Sequence, residues 1–139
     1  MFARALLILA TAAVSTPSAP AQDTHKNSSN ISVVSDQPLP NVPGKTTRGF
    51  LVEYGPGGSS PAHINPSSAF IYAMVLQGSI RSELDDGPKK ISRAGGSFSK
   101  FPGDRHGVSA KASTGERARL LGVSVVDADE NNLVTNIRP

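Results

Sequence analysis

From Thr46 to Asp127 apolar and polar residues alternate in short runs, each closed by glycine, proline, aspartate or serine. Runs of this kind predict strands, because a helix would place its apolar residues three and four apart. Seven strands are expected: Gly49–Tyr54, Ala69–Leu76, Ser79–Leu84, Lys89–Ser92, Ser97–Phe101, Gly107–Ala110 and Arg119–Asp127. The stretches between them (GPGGSSP, QG, DDGP, RAGG, PGDR, STGE) are turn formers. Short strands at this spacing with no helical period predict an all-β fold, a sandwich or a barrel. Asp86-Gly87 is the strongest hairpin signal, since it suits a turn with positive φ values.

Two of the runs depart from clean alternation. AFIYAMVL (69–76) is apolar at both parities and LLGVSVVDA (120–128) nearly so. A strand with water on one side reads apolar on the other side only, so these two should be covered on both faces. A second copy of the chain would cover them, which predicts a homodimer. The alternative cover is the N-terminal arm folded back over the sheet.

The residues ahead of Thr46 are of a different kind. Met1 to Arg4 is a short positive head, ALLILATAAV (5–14) an apolar core, and Ala19-Pro20-Ala21 a small-residue cleavage site. Residues 1–21 therefore read as an export signal, removed before Gln22 and too short to remain as a spanning helix. The expected location is periplasmic or secreted, with no stable membrane anchor after cleavage. Residues 22–45 are polar and proline-dotted, an extended arm in which only Ile31–Val34 looks able to pair as an edge strand. Asn27 and Asn30 open glycosylation sequons that matter only in a eukaryotic source. The barrel domain is expected over residues 46–139.

Composition narrows the chemistry. With no cysteine, thiolate zinc, iron–sulfur and cysteine-nucleophile sites are excluded, and the fold stands on burial alone. The net charge of +3 is small and scattered, which argues against a nucleic-acid partner. No tryptophan, five phenylalanines and two tyrosines leave the core mainly aliphatic.

The chemistry that remains is concentrated in PAHINPSS (61–68) and in PGDRH (102–106). Gly57, five residues, His63, one residue and Asn65 precede an apolar strand that ends at Gly78. After a hairpin come Gly95, five residues, Phe101-Pro102-Gly103, two residues and His106. These two stretches resemble the paired motifs of the cupin superfamily, in its small single-domain form, over roughly residues 46–128. The resemblance implies a short antiparallel β-barrel of jelly-roll type, a double-stranded β-helix that is commonly dimeric.

It also implies a pocket. Metal-binding cupins draw two histidines and a glutamate from the first motif and a third histidine from the second. Carried over, His63 and His106 keep two positions and Asn65 replaces the second histidine. The glutamate position falls within Ala69–Ile71, where no residue binds a metal. The implied cofactor is a divalent iron, manganese, nickel, copper or zinc ion on His63, His106 and Asn65, held weakly or not at all because the anionic ligand is missing. Glu53 and Glu83 are candidate replacement carboxylates, and Tyr72 and Arg105 candidate pocket residues for a small-molecule ligand. Asn65 ahead of Pro66 is equally good turn chemistry, capping its own loop.

Three functions remain open from the residues: metal-assisted oxidoreductase or isomerase chemistry, metal-free binding of a small polar ligand, or a structural homodimer. No catalytic residue is assignable.

Overall fold

A computed structural model describes residues 29–112 and 115–137. The export signal, the arm up to residue 28 and the first sequon's Asn27 lie outside them, while Asn30 is described. The described chain is all strand and turn, with no helix. Its long strands are β1 (Ser29–Pro38), β2 (Lys45–Tyr54), β5 (Phe70–Gln77), β6 (Ser79–Leu84), β9 (Arg105–Lys111) and β10 (Ala118–Asp127), and its shorter ones β3 (Ser59–Ser60), β4 (His63–Ile64), β7 (Lys90–Arg93), β8 (Ser97–Lys100) and β11 (Thr135–Asn136). Two antiparallel sheets face each other, one ordered β1-β2-β10-β5-β8 and the other β11-β4-β9-β6-β7, with β3 also on β9. This is the all-β class expected from the strand pattern and the jelly roll implied by the cupin resemblance.

All seven expected strands are present within a few residues. The three two-residue strands β3, β4 and β11 were not expected, since two residues carry no periodicity. The arm contributes more than Ile31–Val34. Ser29 to Pro38 pairs along β2 from Tyr54 to Thr46, with a bulge between Val33 and Ser35. It lengthens the sheet at its edge and does not lie across the face. The hairpin turn is shifted by one residue from its expected place. Asp85 and Asp86 hold positive φ (49° and 57°), and Gly87 donates its N–H to Leu84 O at 2.8 Å. Asp85 is held there by two bonds to the Arg105 backbone, one in each direction.

The core is built from the inward parity of β2, β5 and β10. Val52, Tyr54, Ala73, Val75, Ile80, Ala118 and Leu120 form one buried cluster; Ala69, Ile71 and Val126 form another. Phe50 packs against both. Its ring lies over Gly122, where any Cβ would stand 2.2 Å from ring carbons, so only glycine lets the ring settle between the clusters. Gly78, at φ +70°, makes the corner from β5 to β6, and a Cβ there would stand 2.4 Å from Arg117 O. The outward parity of β5 is open: Phe70, Tyr72 and Leu76 are each about 40% exposed. Within one chain, therefore, the double-sided apolar run is covered on one face only.

Candidate functional site

Between the two core clusters the sheets enclose a cavity of about 200 Å³. At about 30 Å³ of liquid per water, that is room for about seven waters. Its walls come from both sheets: Phe50, Val52 and Tyr54 on β2, His63 on β4, Lys100 on β8, and His106 and Ser109 on β9. Two further walls were not legible in the sequence. Ser29 and Ile31 of β1 close one side, and Leu133, Val134 and Asn136 near the C-terminus close another.

The histidines meet because β4 and β9 are paired in register, with His63 opposite His106. Their rings are 5.0 Å apart, edge to face. Asn65 follows β4 and ties the two motif loops together. Its backbone N–H and its side-chain Nδ2 both donate to Asp104 O, at 3.0 and 3.1 Å. The amide thus caps the other loop, not its own. His63, Asn65 and His106 are all buried.

Hydrogen bonds assign the ring protons. His63 Nδ1 lies 2.8 Å from Pro61 O, which can only accept, so the proton is on Nδ1 and the Nε2 lone pair is free. His106 is the reverse. Lys100 Nζ lies 3.3 Å from His106 Nδ1, and an ammonium can only donate. Nδ1 of His106 is therefore the acceptor and Nε2 carries the hydrogen. That Nε2 and Asn65 Oδ1 are buried side-chain atoms with no hydrogen-bond partner.

Lys100 is the residue the sequence reading missed. It is 5% exposed, on the pocket wall, and no ion pair among the described residues includes it. Burial lowers its pKa to about 8, and Asp104 opposes that shift. Burial, then the Lys100 and His63 charges, push His106 down to about 2, and burial also lowers His63. Alternation held the clue: Phe98 and Lys100 share a parity in β8, and Phe98 packs on the core. Tyr54 was missed too. Its hydroxyl bonds Ser109 Oγ at 2.6 Å and Ser60 Oγ at 3.0 Å, joining three strands at the cavity wall.

The other candidates lie elsewhere. Tyr72 is 40% exposed on the outer face of β5, because strand alternation turns it away from Ile71 and Ala73. Arg105 points outward beside the inward His106 and pairs with Asp86. Glu53 pairs with Arg119 and Glu83 with Lys89, both outside the cavity.

The paired loops, the register of the histidines and the double sheet fit one family, and a family model decides it. The model described as the cupin domain matches residues 50–124, more than half of the 139-residue chain. The chain belongs to the cupin family. Solved cupin structures share the fold at low identity. The cupin domain of Schizosaccharomyces pombe Cnp3 superposes with a TM-score of 0.57 at 18% identity, covering 74% of this chain and 64% of that one. An uncharacterized double-stranded β-helix protein from Klebsiella pneumoniae gives 0.57 at 18%, over 78% and 85%. Oxalate oxidase in complex with the substrate analogue glycolate gives 0.55 at 24%, over 73% and 52%. Two of these matches thus span less than two thirds of the neighbour's length. No curated protein matches the sequence.

Does this cupin's pocket suit a divalent cation? Among the described residues no three of histidine, cysteine, aspartate and glutamate cluster as a metal site would require. The donors on offer are two neutral imidazoles and an amide, with no anion. Lys100 adds a positive charge where a dication would need a negative one. It also holds the His106 hydrogen on Nε2, a buried atom with no hydrogen-bond partner. The residues present do not fit a divalent metal.

Proposed function

We propose that this cupin is an exported protein whose pocket binds one small polar organic molecule without a divalent metal. The observation that carries the reading is the Lys100 Nζ to His106 Nδ1 bond. It places a cation in the metal position's neighbourhood and keeps the His106 hydrogen on Nε2. Convergent polar groups on a mostly apolar cavity between two sheets are the usual make-up of a small-ligand site. Oxalate oxidase, a structural neighbour, shows that the fold accommodates small-molecule sites, and at 24% identity it carries the fold alone. Export rests on residues 1–21.

The test is metal content. The untagged protein is incubated with iron, manganese, nickel, copper or zinc, gel-filtered and analysed for metals, beside a His63→Ala/His106→Ala variant. The expected result is far less than one ion per chain, equal in both proteins. Near-stoichiometric metal in the wild type alone overturns the reading. Lys100→Met removes the charge and frees the tautomer, so it should take up more metal than the wild type.

A second observation favours a homodimer. On the outer face of the β1-β2-β10-β5-β8 sheet, Leu121 stands opposite Met74, Val123 opposite Tyr72 and Val125 opposite Phe70. This apolar stripe is open in one chain, and the described part of the arm runs along the sheet edge instead of over it. We propose that a second copy covers it. The wild type should sediment as a dimer at micromolar concentration, and Tyr72→Glu with Val123→Arg as a folded monomer. A monomeric wild type would remove the proposal.

A further inference from the structure

We infer that the ligand is a small hydroxy acid, its carboxylate on Lys100 and its hydroxyl on Asn65; this rests on the metal-independent pocket proposed above. The reasoning starts from what the wall lacks. An ammonium has three N–H donors, and Lys100 uses one, on His106 Nδ1. No carboxylate of the described residues is ion-paired with it. Asp104 acts on this buried cation only at a distance, without an ion pair, and a carboxylate arriving in the cavity supplies both a direct counter-charge and the acceptors. His106, on the same wall, keeps Lys100 turned toward the cavity through that bond. There is one cation and the imidazoles are neutral, so the charge wanted is a single negative one.

The second requirement is a donor. Asn65 Nδ2 is engaged on Asp104 O, so the amide cannot flip, and Oδ1 is left as an acceptor with no partner. His63 Nε2 is a second free acceptor, since Nδ1 is committed to Pro61 O. A ligand hydroxyl answers either. Phe50, Val52, Ile71 and Leu120 form an apolar part of the wall, which suits a short aliphatic end. A cavity of about 200 Å³ limits the whole to a molecule of a few carbons.

Titration calorimetry of the wild type at pH 7 with three isosteric probes tests this. They are 2-hydroxyisovalerate, isovalerate (no hydroxyl) and 2-hydroxyisovaleramide (no charge). The hydroxy acid should bind, with the amide about tenfold weaker or more for loss of a hydrogen bond to a charged group and isovalerate about fivefold weaker for loss of one between neutral groups. Lys100→Met should bring the acid down to the level of the amide while its thermal unfolding stays cooperative. An amide that binds the wild type as tightly as the acid overturns the role of Lys100 and leaves the pocket itself standing. Equal affinity for isovalerate overturns the hydroxyl assignment. Silence from all three overturns the inference outright, independently of the metal measurement, which alone decides metal independence.

Discussion

Lowering the pH from 6.5 to 4.5 will cost this protein about 3 kcal/mol of folding stability. His106 titrates near 2 when folded and near 6.5 when unfolded. Between those values the unfolded chain binds a proton that the folded chain refuses, so stability falls with pH at about 1.4 kcal/mol per unit. His63 is depressed as well and acts in the same direction. The cause is the same for both: an imidazolium in this cavity would be desolvated and would face the Lys100 charge. Asp36, lowered by its bonds to Thr46 and Arg48, comes into play only below about 4 and lies outside the window. Urea midpoints measured across this range check the slope. His106→Gln should flatten most of it, and a wild-type midpoint that stays constant would refute a neutral, desolvated His106.

Raising the pH has the opposite effect, through Lys100. Its pKa is about 8 in the fold and 10.5 in the unfolded chain. Below 8 the ammonium is present in both states and the folded state carries the full burial cost. Above 8 the folded chain sheds the proton first, the unfolded chain holds more protons, and stability rises. The expected gain from pH 8 to about 9.5 is about 2 kcal/mol. The window stops there because Tyr54, raised by burial, would begin to lower stability above its ordinary value of 10. The imidazoles are neutral throughout and contribute nothing. Lys100→Met should abolish the gain and be more stable than the wild type at pH 7. The increase is smaller than the full charge term because His106 Nδ1 loses its donor. A wild type with no alkaline gain would show that Lys100 is already paired. Retaining a destabilising cation in a pocket is what a binding site does and a core does not.

Much of this was legible in the residues. Alternation and turn formers place seven strands, and the two motifs mark the histidine loops. Where the reading erred, the errors share a cause. Tyr72 could supply a hydroxyl to a cupin pocket and Arg105 is next to His106 in sequence, yet adjacent residues in a strand face opposite ways and both point outward. Lys100 was overlooked because lysine in a short strand ordinarily marks a solvated edge. Asn65, a candidate metal ligand with capping of its own loop as the alternative, caps Asp104, a partner 39 residues away.

The sequence by itself determined the fold class, the paired loops and the absence of any anionic metal ligand at the expected positions, because these follow from local periodicity, turn chemistry and residue identity. Only the tertiary structure decided what the pocket is. Burial, the His63–His106 register and the Lys100 contact arise from strands far apart in the chain, and they alone set which imidazole nitrogen carries its proton and which charge the cavity still lacks.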